Sequence, residues 1–205
     1  MTAAAPSEAG RLHPRTGEYS QITAARHSRI AGTGSLGIDR FVILVRGKGS
    51  PDGNYLLDLK QALCSAPQRR VSICQPIWHS EAARVVTLQR RMQAVSMAFL
   101  EAVDWRGQSY VLRGLQPSED RVSLCAPGIG LGQIRGAIRT MAGVIASAHL
   151  RSSGRQRSSI ADEFVDFGLA VESWKAPMLA EARQAALQVD ADFKRFAADF
   201  DDGGL

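Results

Sequence analysis

Between Arg29 and Lys60 the chain runs through three short apolar segments joined only by glycine-rich loops. They are Arg29-Ile30-Ala31, Phe41-Val42-Ile43-Leu44-Val45 and Tyr55-Leu56-Leu57-Asp58-Leu59-Lys60. The first junction is Gly32-Thr33-Gly34-Ser35-Leu36-Gly37 and the second Gly47-Lys48-Gly49-Ser50-Pro51-Asp52-Gly53-Asn54. Parallel strands need a crossover of about a dozen residues or more, usually a helix, and neither junction offers one. The segment therefore predicts three consecutive antiparallel strands over 28–62. The pattern then turns helical. Val85, Leu88, Met92, Val95, Phe99 and Val103 recur at spacings of three or four, which predicts a helix over 81–103 with Ser80 as its N-cap. Gln108–Leu115 and Asp120–Cys125 read as two further strands, and Pro127 with the glycines after it as a break. A second helix is expected over 133–150, with Ile134, Ile138, Met141, Ile145 and Ala148 as its stripe. Arg151–Ser159 reads as a loop and Ile160–Phe200 as two or three helices. The fold class is α+β: a small antiparallel sheet packed with helices, followed by a helical C-terminal region.

Composition narrows the class. With hydrophobic residues at 45% and charged residues at 22%, a wholly disordered chain is excluded. Three cysteines, Cys64, Cys74 and Cys125, form no CxxC and have no histidine close in sequence, so neither a disulfide framework nor metal spacing is present. No apolar run approaches the roughly 18 residues of a membrane helix, and the first residues lack the apolar stretch of a secretory signal. A cytoplasmic protein without a membrane partner is the expectation. Residues 1–27 read as a flexible tail, 28–200 as one domain and 201–205 as a frayed end. The net charge of +5 is unevenly placed: from Ile160 onward ten acids face four bases, leaving +11 on the remainder. Arg135, Arg139, Arg151, Arg155 and Arg157 form the densest basic stretch. A nucleic-acid surface is one reading of it. No aromatic residue lies among these arginines to stack on bases, which argues against that reading.

Gly32, Gly34 and Gly37 make a GxGxxG motif. In a dinucleotide fold the loop leads into a helix, whereas here it leads into a second strand. That context fits a kinase-type loop, in which a strand–turn–strand hairpin covers nucleotide phosphates and the absence of Cβ atoms lets backbone amides approach. The plain alternative is a glycine-rich hairpin that binds nothing. Lys60 stands on the next strand, where a kinase-type site carries its phosphate-pairing lysine. Such a lysine needs a carboxylate on the following helix, and none lies from Ala82 to Leu100. A solvated strand lysine is the competing reading. Asp166-Phe167-Gly168 reproduces the metal-holding DFG triplet, and His149-Leu150-Arg151 loosely matches a catalytic HRD. Ser152 stands where the base would be, and the one asparagine of the chain is Asn54. Phe164, Phe167 and Val171 share a helical face, so the triplet reads as part of a helix and no metal ligands are assigned.

The motifs together resemble the bacterial domain-of-unknown-function family 2252. The resemblance rests on Arg29–Gly37, Leu57-Asp58-Leu59-Lys60-Gln61-Ala62, Arg84–Gln93, Tyr110-Val111-Leu112-Arg113-Gly114-Leu115 and Ala148-His149-Leu150-Arg151-Ser152, in that order. It implies a relationship to kinase-like phosphotransferases, with the sheet resembling a kinase N-lobe. It also implies that a Gly-Asp-x-His-x-x-Asn-Phe motif, absent here, precedes the glycine loop. This chain then corresponds to the C-terminal part of such a protein. Gln61 stands where the family pattern has an acid, and Thr87 and Leu88 stand where an acid precedes Gln-Arg. The implied nucleotide-binding residues are Gly32, Gly34, Ser35, Gly37 and Lys60, supported by Gln89, Arg90, Arg113, His149 and Arg151. ATP with Mg²⁺ is the ligand such a site takes. Three functions follow: a truncated kinase-like domain with residual nucleotide-phosphate binding and little independent catalysis, half of a split phosphotransferase completed by a chain supplying the missing N-terminal half, or a basic nucleic-acid-binding module. The catalytic residues and the substrate are not assigned.

Overall fold

The computed structural model describes residues 27–28, 37–46, 53–117, 122–124 and 127–203. It is a mixed α+β chain with two compact units, Met1–Arg151 and Ser152–Leu205. Their boundary falls inside the 28–200 segment read above as one domain. The tail read over 1–27 lies almost entirely outside the described residues, as do Arg29-Ile30-Ala31.

The first unit is built on a five-stranded antiparallel sheet in the order β1-β2-β3-β5-β4. The strands are β1 (His27–Ser28), β2 (Arg40–Arg46), β3 (Asn54–Gln61), β4 (Glu101–Trp105) and β5 (Gln108–Gly114). Short connections give antiparallel neighbours, as expected: Ser28 pairs with Phe41, and Arg40 with Lys60. Lys60 in turn pairs with Val111, which places β5 rather than β4 beside β3.

Helix α1 (Glu81–Met92) lies between β3 and β4 in the chain. Ser80 caps it as expected, its hydroxyl accepting from the Ala83 amide at 3.1 Å. The helix stops at Met92, not Val103. Gln93 turns extended, and Phe99 takes a φ of 60° before the chain enters β4. Val95, Phe99 and Val103 keep helical spacing by coincidence of phase. Val103 and Trp105 are instead alternate positions of a strand, closed by a two-residue turn, Arg106-Gly107, with φ of 51° and 74°. Paired positive φ values match the right-handed twist of the strands they join. No strand is found at residues 122–124, the described part of the one expected over Asp120–Cys125.

The sheet buries side chains on both faces. One carries Val45, Leu57, Leu59, Tyr110 and Leu112, with Phe41, Ile43, Phe99, Val103 and Trp105 packed beside them. On the other, Val111 meets Ala82 and Val86 of α1 and Leu100. The Ser109 hydroxyl accepts from the Ala82 amide there, pinning the start of α1 to β5. Helix α2 (Leu131–Ser152) follows. Of its expected stripe Ala148 is buried and Ile134 half-buried, while Ile138, Met141 and Ile145 are exposed.

The second unit holds α3 (Ala161–Leu169) and α4 (Val171–Asp201). Asp166, Phe167 and Gly168 lie inside α3, as their spacing predicts. Phe167 stacks on Trp174 at 4.6 Å, and the Trp174 indole donates to the Phe167 carbonyl. These contacts bridge the junction at Ala170 between α3 and the first turn of α4. No described helix is long and apolar enough to cross a membrane.

Candidate functional site

Strand alternation decides which side chains share a face. Lys60 and Asp58 project from β3 to the same side as Val111, the side on which α1 packs. Arg40 is opposite Lys60 on β2, and Arg113 is opposite Asp58 on β5. Four charged residues therefore cluster on one sheet face, three cationic and one anionic.

Asp58 is the centre of this group and is 1% exposed. One guanidinium grips it from each side. Arg40 donates through Nε to Oδ1 at 2.6 Å and through Nη2 to Oδ2 at 2.8 Å. Arg113 donates through Nε and Nη2 to Oδ2, both at 3.2 Å. Burial by itself raises the Asp58 carboxyl pKa, but the hydrogen bonds and charge of Arg40, then those of Arg113, outweigh it and hold the pKa below its ordinary 3.8. The carboxylate is thus ionised at neutral pH. With Lys60 the group carries a formal surplus of two positive charges.

The Lys60 side chain makes no hydrogen bond or ion pair to a described residue. It is half-buried on the α1 side of the sheet. No carboxylate from α1 reaches it: Glu81 is bonded to Arg84 at 2.7 Å. Gln89 Oε1 on α1 and Gln93 Oε1 just past its end are buried without a hydrogen-bond partner among the described residues.

The other expected site residues scatter. Arg90 turns toward β4, where it donates to the Leu100 carbonyl and pairs with Glu101 at 2.6 Å. Arg151 donates to the Met92 carbonyl at 2.9 Å. That is one of the orphan acceptors at the C-terminus of α1, a place where a cation also suits the helix dipole. His149 is exposed on the last turns of α2. Gly37 is in a turn with φ of 75°, a conformation that favours glycine. Gly32, Gly34 and Ser35 lie outside the described residues. Of the expected set, the structure brings Lys60 and Arg113 onto one surface. It adds Asp58 and Arg40, which the sequence reading passed over. Their signal was present: an acid inside Leu57-Asp58-Leu59, flanked by buried leucines, requires a buried cation. Among the described residues no group of three His, Cys, Asp or Glu side chains is gathered to hold a metal.

A five-stranded antiparallel sheet with one helix on the face that carries the charged group defines a mixed α+β protein. The chain belongs to the family described as "Uncharacterized protein conserved in bacteria (DUF2252)", whose model matches residues 9–199. None of the curated proteins and none of the solved structures matches it.

Proposed function

We propose that this chain is a kinase-like domain, 28–200, corresponding to the C-terminal part of a longer kinase-like protein. In this reading it binds nucleotide phosphates at Lys60 and the glycine loop and has little catalysis of its own. The observation that carries the reading is the position of Lys60. It stands on the third strand of a sheet ordered β1-β2-β3-β5-β4, on the face that carries the helix between β3 and β4, and makes no ion pair with a described residue. A kinase-type lysine occupies the corresponding strand and meets phosphate oxygens from it. Gly32, Gly34, Ser35 and Gly37 precede β2 in the sequence and, in this reading, supply backbone amides to the phosphates. Thr87 and Leu88 stand where the family pattern has an acid, and Gln89 beside them offers only an amide oxygen. An amide oxygen accepts hydrogen bonds but carries no charge, so the ammonium is held less firmly. Phosphoryl transfer works through positioning and metal-borne charge, and the expected base and metal ligands are lacking. Weak Mg·ATP binding with negligible turnover, in a cytoplasmic protein, is the consequence.

The test is Mg·ATP binding by calorimetry on the folded chain, repeated on Lys60→Ala and Gly34→Val. Both substitutions should weaken binding, the first by removing the cation and the second by placing branched bulk in the loop. Robust ATP turnover that disappears in Lys60→Ala would overturn the picture of an idle remnant.

One observation favours the second reading, half of a split phosphotransferase. Helix α2 leaves Ile138, Val144 and Ile145 more than half exposed, and α4 does the same with Val189, Phe193 and Phe196. A chain carrying the Gly-Asp-x-His-x-x-Asn-Phe motif is the partner this reading requires. Co-expression with such a chain, encoded beside this one, should yield a stable complex with phosphotransferase activity. A nucleic-acid module has no comparable support.

A further inference from the structure

The surface beside Lys60 is ionic, and this bears on what Lys60 can hold. Next along β3 on the same face comes Asp58, not an apolar residue, and across from it Arg113. Asp58 fixes Nε and Nη2 of Arg113, while Nη1 has no partner among the described residues. The Arg113 side chain is 35% exposed, against 11% for Arg40. Arg40 is thus the buried clamp on Asp58, and Arg113 is the guanidinium that faces outward. Lys60 and Arg113 are two residues apart along the ladder, roughly 7 Å, on neighbouring strands about 5 Å apart. Two long cationic side chains at that spacing can meet one chain of phosphates.

A nucleotide base laid here offers only neutral acceptors and leaves the surplus of two positive charges uncompensated. Phosphate oxygens have the opposite effect, because they accept from guanidinium and ammonium groups in charge-assisted hydrogen bonds. Val111, opposite Lys60, is buried under α1 and Val42, opposite Asp58, is half-buried, so the exposed large apolar side chain on this face is Leu56, one step beyond Asp58.

We infer that this face recognises the phosphate chain and not the base. Its ligand class is a di- or triphosphate group, inorganic or esterified, held by Lys60 and Arg113. Asp58 is a positioning residue that aims Arg113 and keeps two guanidiniums from repelling each other. The inference rests on the proposed role of Lys60 and specifies the ligand it selects.

The experiment is calorimetry on the wild-type chain at one fixed ionic strength with tripolyphosphate, Mg·ATP and adenosine, repeated on Arg113→Gln and Arg113→Lys. Tripolyphosphate should bind within about threefold of ATP, and adenosine should not bind at millimolar concentration. Arg113→Gln should weaken tripolyphosphate about tenfold, the scale of one charge-assisted hydrogen bond. Arg113→Lys keeps the charge but loses the fork held by Asp58, and should recover only part of that loss. ATP binding more than about tenfold tighter than tripolyphosphate would overturn the inference while leaving the proposed function standing. So would measurable adenosine binding, or an Arg113→Gln variant unchanged toward tripolyphosphate. If Arg113→Gln does not fold, the comparison of the three ligands on the wild type still decides. Failure of every phosphate ligand to bind would remove the proposed function and this inference together.

Discussion

Asp58 converts a sheet position that would ordinarily be apolar into a charged centre. The carboxylate is stable there because two guanidiniums saturate it from neighbouring strands. Removing it leaves Arg40 and Arg113 facing each other without a counter-ion. Breaking a buried ion pair from one side costs about 3–5 kcal/mol, so Asp58→Ala should lower the urea midpoint by that equivalent. The lowered pKa gives a second expectation. A carboxylate whose folded pKa lies below its unfolded value contributes its full stabilisation above an unfolded pKa of about 4, and loses it as pH falls through the folded value. Urea midpoints of the wild type measured from neutral pH downward should therefore fall most steeply in the acid range below that value. In Asp58→Asn this acid-range slope should be shallower. An identical slope would mean that another carboxylate governs acid unfolding. Nothing in the helical or strand periodicity announces such a residue. Its signal is a charge inside a buried strand, and it is legible only when one asks what must neutralise it.

At the scale of elements, the antiparallel pairing of β2 with β3 was readable because a short glycine-rich junction leaves no other way to connect the two strands. The end of α1 was not. Val95, Phe99 and Val103 fall on the helical phase of Val85 and Met92, so periodicity alone extends the helix through β4. The contrary signal was Arg106-Gly107, a two-residue hairpin turn between alternating residues. Gly107 has φ of 74° and open space where a Cβ would be, so only the backbone conformation disfavours substitution. Gly107→Ala should cost about 1–2 kcal/mol in chemical denaturation with no change in the folded sheet. The Ser80 hydroxyl accepts one orphan amide of α1, and Ser80→Ala should cost about 1 kcal/mol by the same measurement. A loss well above this in either variant would indicate a packing role beyond the local turn or cap.

At the scale of the whole molecule, each unit must be considered by itself. The first has two cores, one on each face of its sheet, and the charged group stands on the face that also carries α1. The second has no buried residue on α3 or α4, and Phe193, Phe196 and Phe200 of α4 are more than half exposed. A long helix gains most of its stability from packing an apolar face rather than from propensity. The apolar stripe that sequence reading finds on such helices states that a face is to be covered and is silent on what covers it. The same limit applies to the site: Lys60 and Arg113 were legible one by one, whereas their shared face required the register of β3 with β5. The most direct test of the central claim is an amide chemical-shift map of the folded chain during titration with Mg·ATP at fixed ionic strength. The account predicts shifts concentrated at Asp58–Gln61 of β3 and at Arg113 of β5, lost in Lys60→Ala. An unchanged spectrum at millimolar ATP, or shifts that persist in Lys60→Ala, would contradict it.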